Sequence, residues 1–311
     1  MKKHLALALG LLVMAFAMTG CGKSSSLTSS DGTTGGTAVE QAKVNVSLAA
    51  DAALIDEEIS QDETPMDFNA APDGALAAIR PYRWWRHITS VDRTFSTEFS
   101  DPDSSGRPLR AIVTVNARLQ GEFNILAGDT AAGDTARRIV RKPLDEQRLR
   151  KLYLIRIPVD SARTDSLRRE WRIVGTSGVK VTSRNAVTRI QSIRLQAGAL
   201  DTTVTDPLEL HRIRRVFLVP PFTPVTLTVT TLSPTDMVFL NHVDHRARFR
   251  NNGDGTFTLA WQTGSHPGLR HFGVRALSNG TLFDDAAAYD SQAWIIPTAP
   301  RREDCDIEHR R

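Results

Sequence analysis

Residues 224–232 read PVTLTVTTL, from Pro224 to Leu232. Val225, Leu227 and Val229 fall on one side of an extended chain and Thr226, Thr228 and Thr230 on the other, because side chains alternate across a strand. Period-two alternation built from β-branched residues predicts a half-buried β-strand. The same pattern recurs downstream at Met237–Leu240, His245–Arg250, Thr256–Gln262, Leu269–Leu277 and Ser291–Ile296. Within Thr256–Gln262, Phe257, Leu259 and Trp261 share one face. Asn251-Asn252-Gly253-Asp254-Gly255 supplies a tight turn, since Asn, Asp and Gly tolerate positive φ. A handful of short strands within roughly eighty residues is the count for one small β-sandwich.

Upstream of this stretch, the expected strands are Arg110–Leu119, Phe123–Leu126, Leu152–Val159, Trp171–Val174, Val179–Thr182 and Ile190–Leu195. Gly121 separates the first two. Asp101–Pro108 and Ala127–Thr135 read as loops, and a short helix is expected between Asp145 and Lys151. The expected fold class is all-β: a β-rich domain over 80–219 and a second β-sandwich over 220–299, joined at Pro220, Pro221 and Pro224, with a charged tail over 300–311. The second stretch resembles immunoglobulin-like domains of bacterial surface and exported proteins. The resemblance rests on the turn NNGDGTF (Asn251–Phe257), the alternating strand after it and the Pro267-Gly268 segment that leads into the next. The Cys…Trp…Cys framework of antibody domains is absent, so Trp261 must pack without a disulfide. The resemblance implies a spacer, adhesion or binding module and carries no catalytic residues.

The first residues speak to location. Lys2 and Lys3 are followed by an apolar run, Leu5–Ala17, of 13 residues. A membrane-spanning helix needs about 20, so the run reads as the core of a secretion signal over 1–20. Met18-Thr19-Gly20-Cys21 resembles the lipobox of bacterial lipoproteins, with Met18 standing where Leu is commoner. The resemblance implies that Cys21 is acylated and becomes the mature amino terminus. Each buried methylene of an acyl chain contributes about 0.8 kcal/mol, so several chains together anchor a protein firmly. Gly22 follows the cysteine instead of Asp, which by the same resemblance implies the outer membrane.

Residues 22–39 are dominated by Ser, Thr and Gly, a composition expected to make a flexible tether. Residues 44–79 hold eight acidic residues and no basic one, and a short helix is expected at Ala49–Ser60. The whole of 21–79 is therefore expected to act as a linker. The net charge of +4 hides a basic body in which arginine dominates, with 32 of the 39 basic residues. Such a body favours anionic partners only through general attraction. Nucleic acid is not among the expected partners, and no cofactor is implied. Only two cysteines occur, so if Cys21 carries lipid, Cys305 has no disulfide partner within the chain.

Four constellations bear on chemistry. His242, Asp244 and His245 offer two imidazoles and a carboxylate, a donor set for zinc or iron. On one strand the two histidines would face opposite sides; only a loop would bring them together, with His266 or His271 as further donors. Asp101, Asp103 and Ser105 place oxygens at alternate positions before Gly106, as calcium loops do. The acidic residue that should close such a loop is replaced by Ile112. Arg83-Trp84-Trp85-Arg86 mixes aromatic faces that stack on sugars with guanidinium groups that clamp acids, although adjacent tryptophans on a strand point to opposite faces. Finally, Arg137, Arg138, Arg141, Lys142, Arg148, Arg150 and Lys151 form a basic stretch able to meet lipid headgroups. Gly264-Ser265-His266-Pro267-Gly268 is not a hydrolase elbow, because that motif needs Ser in the middle. The expected function is a lipid-anchored envelope protein with a non-enzymatic structural, adhesive or binding role. The alternatives are a metal-dependent enzyme acting on envelope material and a glycan-binding module.

Overall fold

The computed structural model describes residues 28–29, 35–50, 65–68, 78–129, 137–157, 170–213, 217–242, 245–264 and 270–299. Along the chain these form β1 (Thr28–Ser29), α1 (Gly35–Ala50), β2 (Met66–Asp67), β3 (Ile79–Pro102), β4 (Pro108–Asp129), β5 (Arg137–Arg156) and β6 (Trp171–Ser183). Then follow β7 (Ile190–Ala197), β8 (Leu200–Val204), β9 (His211–Arg212), β10 (Phe217–Leu218), β11 (Pro224–Thr231), β12 (Met237–His242), β13 (His245–Arg248) and β14 (Arg250–Asn251). The last elements are β15 (Thr256–Gln262), β16 (Arg270–Leu277), α2 (Asn279–Phe283) and β17 (Ser291–Ala299).

The protein is all-β, built on two sheets. One runs β3-β4-β5-β6-β17-β16-β12-β13, and the other β14-β15-β11-β7-β8. Residues 190–299 make an immunoglobulin-like sandwich, with β7-β11-β15 facing β13-β12-β16-β17 and the chain crossing repeatedly between the layers. Period-two patterning decides which side chains meet in it. Val225, Leu227 and Val229 of β11 and Ile193 and Leu195 of β7 pack on Val238 and Leu240 of β12, Val274 and Ala276 of β16, and Trp294 and Ile296 of β17. Trp261 packs at the margin of this core and Phe257 lies within it, as the alternation predicts.

The sandwich does not stop at β17. β6 pairs with β17, and β5, β4 and β3 extend the same sheet outward as strands of 20, 22 and 24 residues. Ordinary strands run about 3–10 residues. Strands this long stay packed because they bend, and the register shifts at Pro81/Arg83 and Ile88/Ser90 are where β3 does so. Gly121 sits opposite the second shift, and a Cβ there would lie 1.9 Å from the His87 carbonyl oxygen. Gly121 is thus required for close approach of two strands, and β4 runs through it instead of breaking there.

One half of the extension curls back over the outer face of β12. Trp84, Phe123, Ile125 and Leu144 pack on Phe239, Phe283 and Tyr289 in a second core, and β2 touches β13, so the sheet becomes an almost closed barrel. The other half spreads out and is covered by α1. Val44 and Leu48 of the helix pack on Val113, Leu152, Leu154 and Trp171.

The structure revises several expectations. The helix at Asp145–Lys151 is instead the middle of β5, where Leu144, Glu146, Arg148, Arg150 and Leu152 all point inward. Arg110–Leu119 and Phe123–Leu126 are one strand. Both sheets carry strands from each side of 219/220, so that position is not a break in either; the sandwich takes β7 and β8 from upstream of it. Within the stretch expected to be linker, residues 35–50 are helical and docked, and 66–67 are paired with β3. The helix expected at Ala49–Ser60 falls, beyond Ala50, outside the described residues, as do the signal, Cys21, Cys305 and the tail. Among the described residues no helix is long and apolar enough to cross a membrane.

Candidate functional site

Among the described residues, two clusters of charge meet on β5 at Asp145-Glu146, adjacent residues that alternation sends to opposite faces of the sheet. Glu146 points into the barrel, with its side chain fully buried. Arg86 Nη1 of β3 donates to one carboxylate oxygen, and Arg275 Nη1 of β16 donates to the other at 2.6 Å. The Tyr289 hydroxyl also donates to Glu146 at 2.6 Å, and Arg275 Nη1 lies 2.9 Å from Ser291 Oγ. Burial pushes the Tyr289 hydroxyl far above its ordinary pKa, so it remains a proton donor. The network joins β3, β5, β16 and β17 across the barrel.

Asp145 points outward. Arg118 of β4 grips it through Nε at 2.9 Å and Nη2 at 2.7 Å, a bidentate pair, and Arg184 approaches to 3.6 Å. The Arg118 guanidinium holds the Asp145 carboxyl below its usual range. This pair lies in an open groove. One lobe of about 720 Å³ runs from Thr89 and Ser90 past Gln120 and Pro143 to Ala288 and Tyr289. The other, about 450 Å³, is lined by Asn116, Gln147 and Thr182. Arg118, Asp145 and Arg184 border both lobes. Within the groove, Gln147 Nε2 donates to Asn116 Oδ1 at 3.3 Å and Ser90 Oγ lies 3.4 Å from Gln120 Oε1.

The residues singled out from sequence are dispersed. Trp84 is core, 5.4 Å from the Phe123 ring and 5.3 Å from the Phe239 ring. Arg86 is buried on Glu146, Arg83 is exposed and bonded to Asp67 at 2.6 Å, and Trp85 is half-buried. The tetrapeptide is therefore no single aromatic platform, because alternation divides it between two faces.

His242 and His245 lie on two strands and not on one, which is the case in which they can come together: they are directly paired between β12 and β13, and cross-strand partners share a face. The His242 ring sits 6.2 Å from that of Trp261. His271 is buried on β16, while Asp244 and His266 lie outside the described residues. Among the described residues no three His, Cys, Asp or Glu side chains converge as metal ligands.

Asp101 is ion-paired with Arg110 at 2.8 Å. Asp103 accepts from Ser105 Oγ at 2.6 Å, from the backbone N–H of Ser105 and Arg107 at 2.9 Å, and from Arg156. These bonds, led by Ser105, hold its carboxyl far below the ordinary range. The carboxylates of this loop thus face protein donors in a β3–β4 turn.

The basic stretch on β5 is split as well. Lys142, Arg148 and Arg150 are buried, with Lys142 Nζ donating to the backbone carbonyls of Asp284 and Ala287 at 2.5 and 2.6 Å beyond α2, whereas Arg138 and Arg141 face out.

Sequence reading missed Glu146, Arg275 and Tyr289. The available signal was the strand periodicity of 140–154, which places charges at positions that also hold Leu and Val. The class of protein this defines is an immunoglobulin-like sandwich fused through a shared sheet to an almost closed barrel, with a polar groove on the barrel's outer face. Comparison with known proteins found no matching family model, no similar curated protein and no similar solved structure.

Proposed function

We propose that this chain is a lipoprotein of the bacterial envelope, acylated at Cys21, with a non-enzymatic binding or structural role. The observation that carries the reading is the sequence Leu5–Cys21, a 13-residue apolar run closed by Thr19-Gly20-Cys21 after two lysines. The immunoglobulin-like body with an open polar groove suits a binding role. In an acylated chain, six residues separate Cys21 from Thr28, a path of seven residue steps, and Thr28 pairs with Thr94 of β3. Seven residues reach at most about 25 Å, so the β3 edge would ride close to the bilayer. The test is fractionation with mass spectrometry of the mature amino terminus. The native chain is expected in the outer-membrane fraction with an acylated Cys21, and Cys21→Ser in the soluble fraction. An unmodified mature terminus on the native chain refutes the proposal.

A further inference from the structure

The groove around Asp145 is suited to one ligand chemistry. We infer that it binds a neutral glycan, an extended chain of uncharged sugar rings. The inference rests on the proposed binding role only for where the ligand is met; the groove itself supplies the rest.

Three observations carry it. First, the lining is a ladder. Ser90, Gln120 and Asp145 are consecutive cross-strand neighbours, and so are Arg118, Gln147 and Thr182 in the next row. Strands lie about 4.8 Å apart, so each row presents polar groups at a regular interval across the sheet. A repeating polyol matches such a row better than a compact metabolite does.

Second, the chemistry is mixed. A sugar hydroxyl both donates and accepts, and so do the amides of Asn116, Gln120 and Gln147. Arg118 commits two of its five N–H groups to Asp145 and borders both lobes of the groove, while the Asp145 carboxylate has acceptor positions beyond that pair. Exposed Pro143 and Ala288 give apolar surface for the C–H faces of rings.

Third, the charges balance. Arg118 and Arg184 are set against Asp145 and Glu122, so the groove has no excess of positive charge to hold a polyanion. Nor is it lined by the aliphatic side chains a lipid tail would need.

The experiment uses the full mature chain in detergent micelles, titrated by calorimetry with maltohexaose, cellohexaose, mannohexaose and chitohexaose, and with polygalacturonate as the charged counterpart. Saturable binding of at least one at micromolar to millimolar concentration is expected, and it should change little with salt. Asn116→Ala and Gln147→Ala, which touch neither core, should each weaken it about fivefold to tenfold, the loss that follows from removing one or two hydrogen bonds. Arg118→Ala should abolish it, with an unchanged thermal midpoint confirming the fold. Heat from none of the four sugars, binding that survives all three substitutions, or binding confined to polygalacturonate and lost in salt would each overturn the inference. Fractionation of Cys21→Ser does not bear on these outcomes, so failure of the groove and failure of the anchor are separable.

Discussion

At residues 145 and 146, β5 carries one arrangement twice. Asp145 sits between Arg118 and Arg184 on the outer face, and Glu146 between Arg86 and Arg275 inside the barrel. The chemistry is the same and the solvent is not. The Asp145 side chain is 24% exposed and its arginines 52% and 72%, whereas the inner side chains are 0%, 1% and 4% exposed. Water and salt screen the outer cluster, leaving it adaptable and able to exchange protein partners for a ligand. The inner cluster has given up its hydration, so each member depends on the others. A carboxylate between two arginines is thus a structural tie or a binding surface according to the face it occupies.

The largest effect should come from breaking the inner cluster. Glu146→Ala leaves Arg86 and Arg275 facing each other without the carboxylate between them, and about 3–5 kcal/mol of stability should be lost, read as a fall in the urea midpoint. Replacing Arg86, Glu146 and Arg275 together by Met, Leu and Met should recover most of it, because a well-packed apolar triad need not carry desolvated charge. If Glu146→Ala costs less than about 1 kcal/mol, water reaches the barrel interior and the contrast between the faces collapses.

Glu40 stands between the two cases. It is nearly buried on α1, and its carboxylate accepts from Trp171 Nε1 at 3.1 Å, from Arg107 at 3.0 Å and from Lys43 at 3.3 Å. Burial pushes its pKa up, and the bonds from Trp171, Arg107 and Lys43 outweigh that and hold it below the ordinary value. Trp171→Phe removes the buried donor and should cost about 2–3 kcal/mol. Loosened α1 docking should appear as faster hydrogen exchange at Val44–Leu48 while β11 and β16 stay protected.

How much of this was legible in the sequence depends on what each residue had to settle. The sandwich strands could be read because β11 and β15 alternate apolar and polar over a single solvent boundary, whereas β17, buried on both faces, reads as a nearly continuous apolar run. The long strands could not. In β5, Lys142, Glu146, Arg148 and Arg150 occupy inward positions, so a reading that equates inward with apolar sees no strand there. Gly121 read as a break because a glycine needed for close strand approach looks, in sequence, like a glycine needed for a turn. The aromatic pair Trp84-Trp85 is legible as two-faced, because adjacent residues on a strand always point to opposite sides. The groove was invisible: Gln120, Asp145 and Gln147 become neighbours only through register, which no local pattern states.

Asp236 supplies the case of an acid with no arginine. Its side chain is buried ahead of β12, its Oδ2 has no hydrogen-bond partner among the described residues, and burial, with Asp290 nearby, raises its pKa to about 6. The unfolded carboxyl titrates near 3.8. The folded state therefore holds the proton more tightly than the unfolded state. Its contribution is complete below the unfolded value and is lost as pH rises through about 6. Discounted for screening, this amounts to about 1–2 kcal/mol. Stability of the native chain should fall between pH 4 and 6 relative to Asp236→Asn, which should be flat with respect to this group. Parallel profiles would show that Asp236 is hydrated.

The smallest effect should come from the outer cluster, and it completes the contrast. Asp145→Asn keeps the size of the side chain and removes one charge from an exposed set, so stability should change by less than about 1 kcal/mol at low salt. Exposed pairs are screened once the Debye length shrinks to a few ångströms, near 3 Å at about 1 M salt, so the difference from the native chain should vanish there. The cost of Glu146→Ala should persist at the same salt, because ions do not reach side chains with almost no exposed surface. Two neighbouring residues, each with a pair of arginines, would then differ in salt response as well as in size of effect. Were Asp145→Asn to cost as much as Glu146→Ala, the outer cluster would be a structural tie like the inner one, and the contrast between the two faces would be lost.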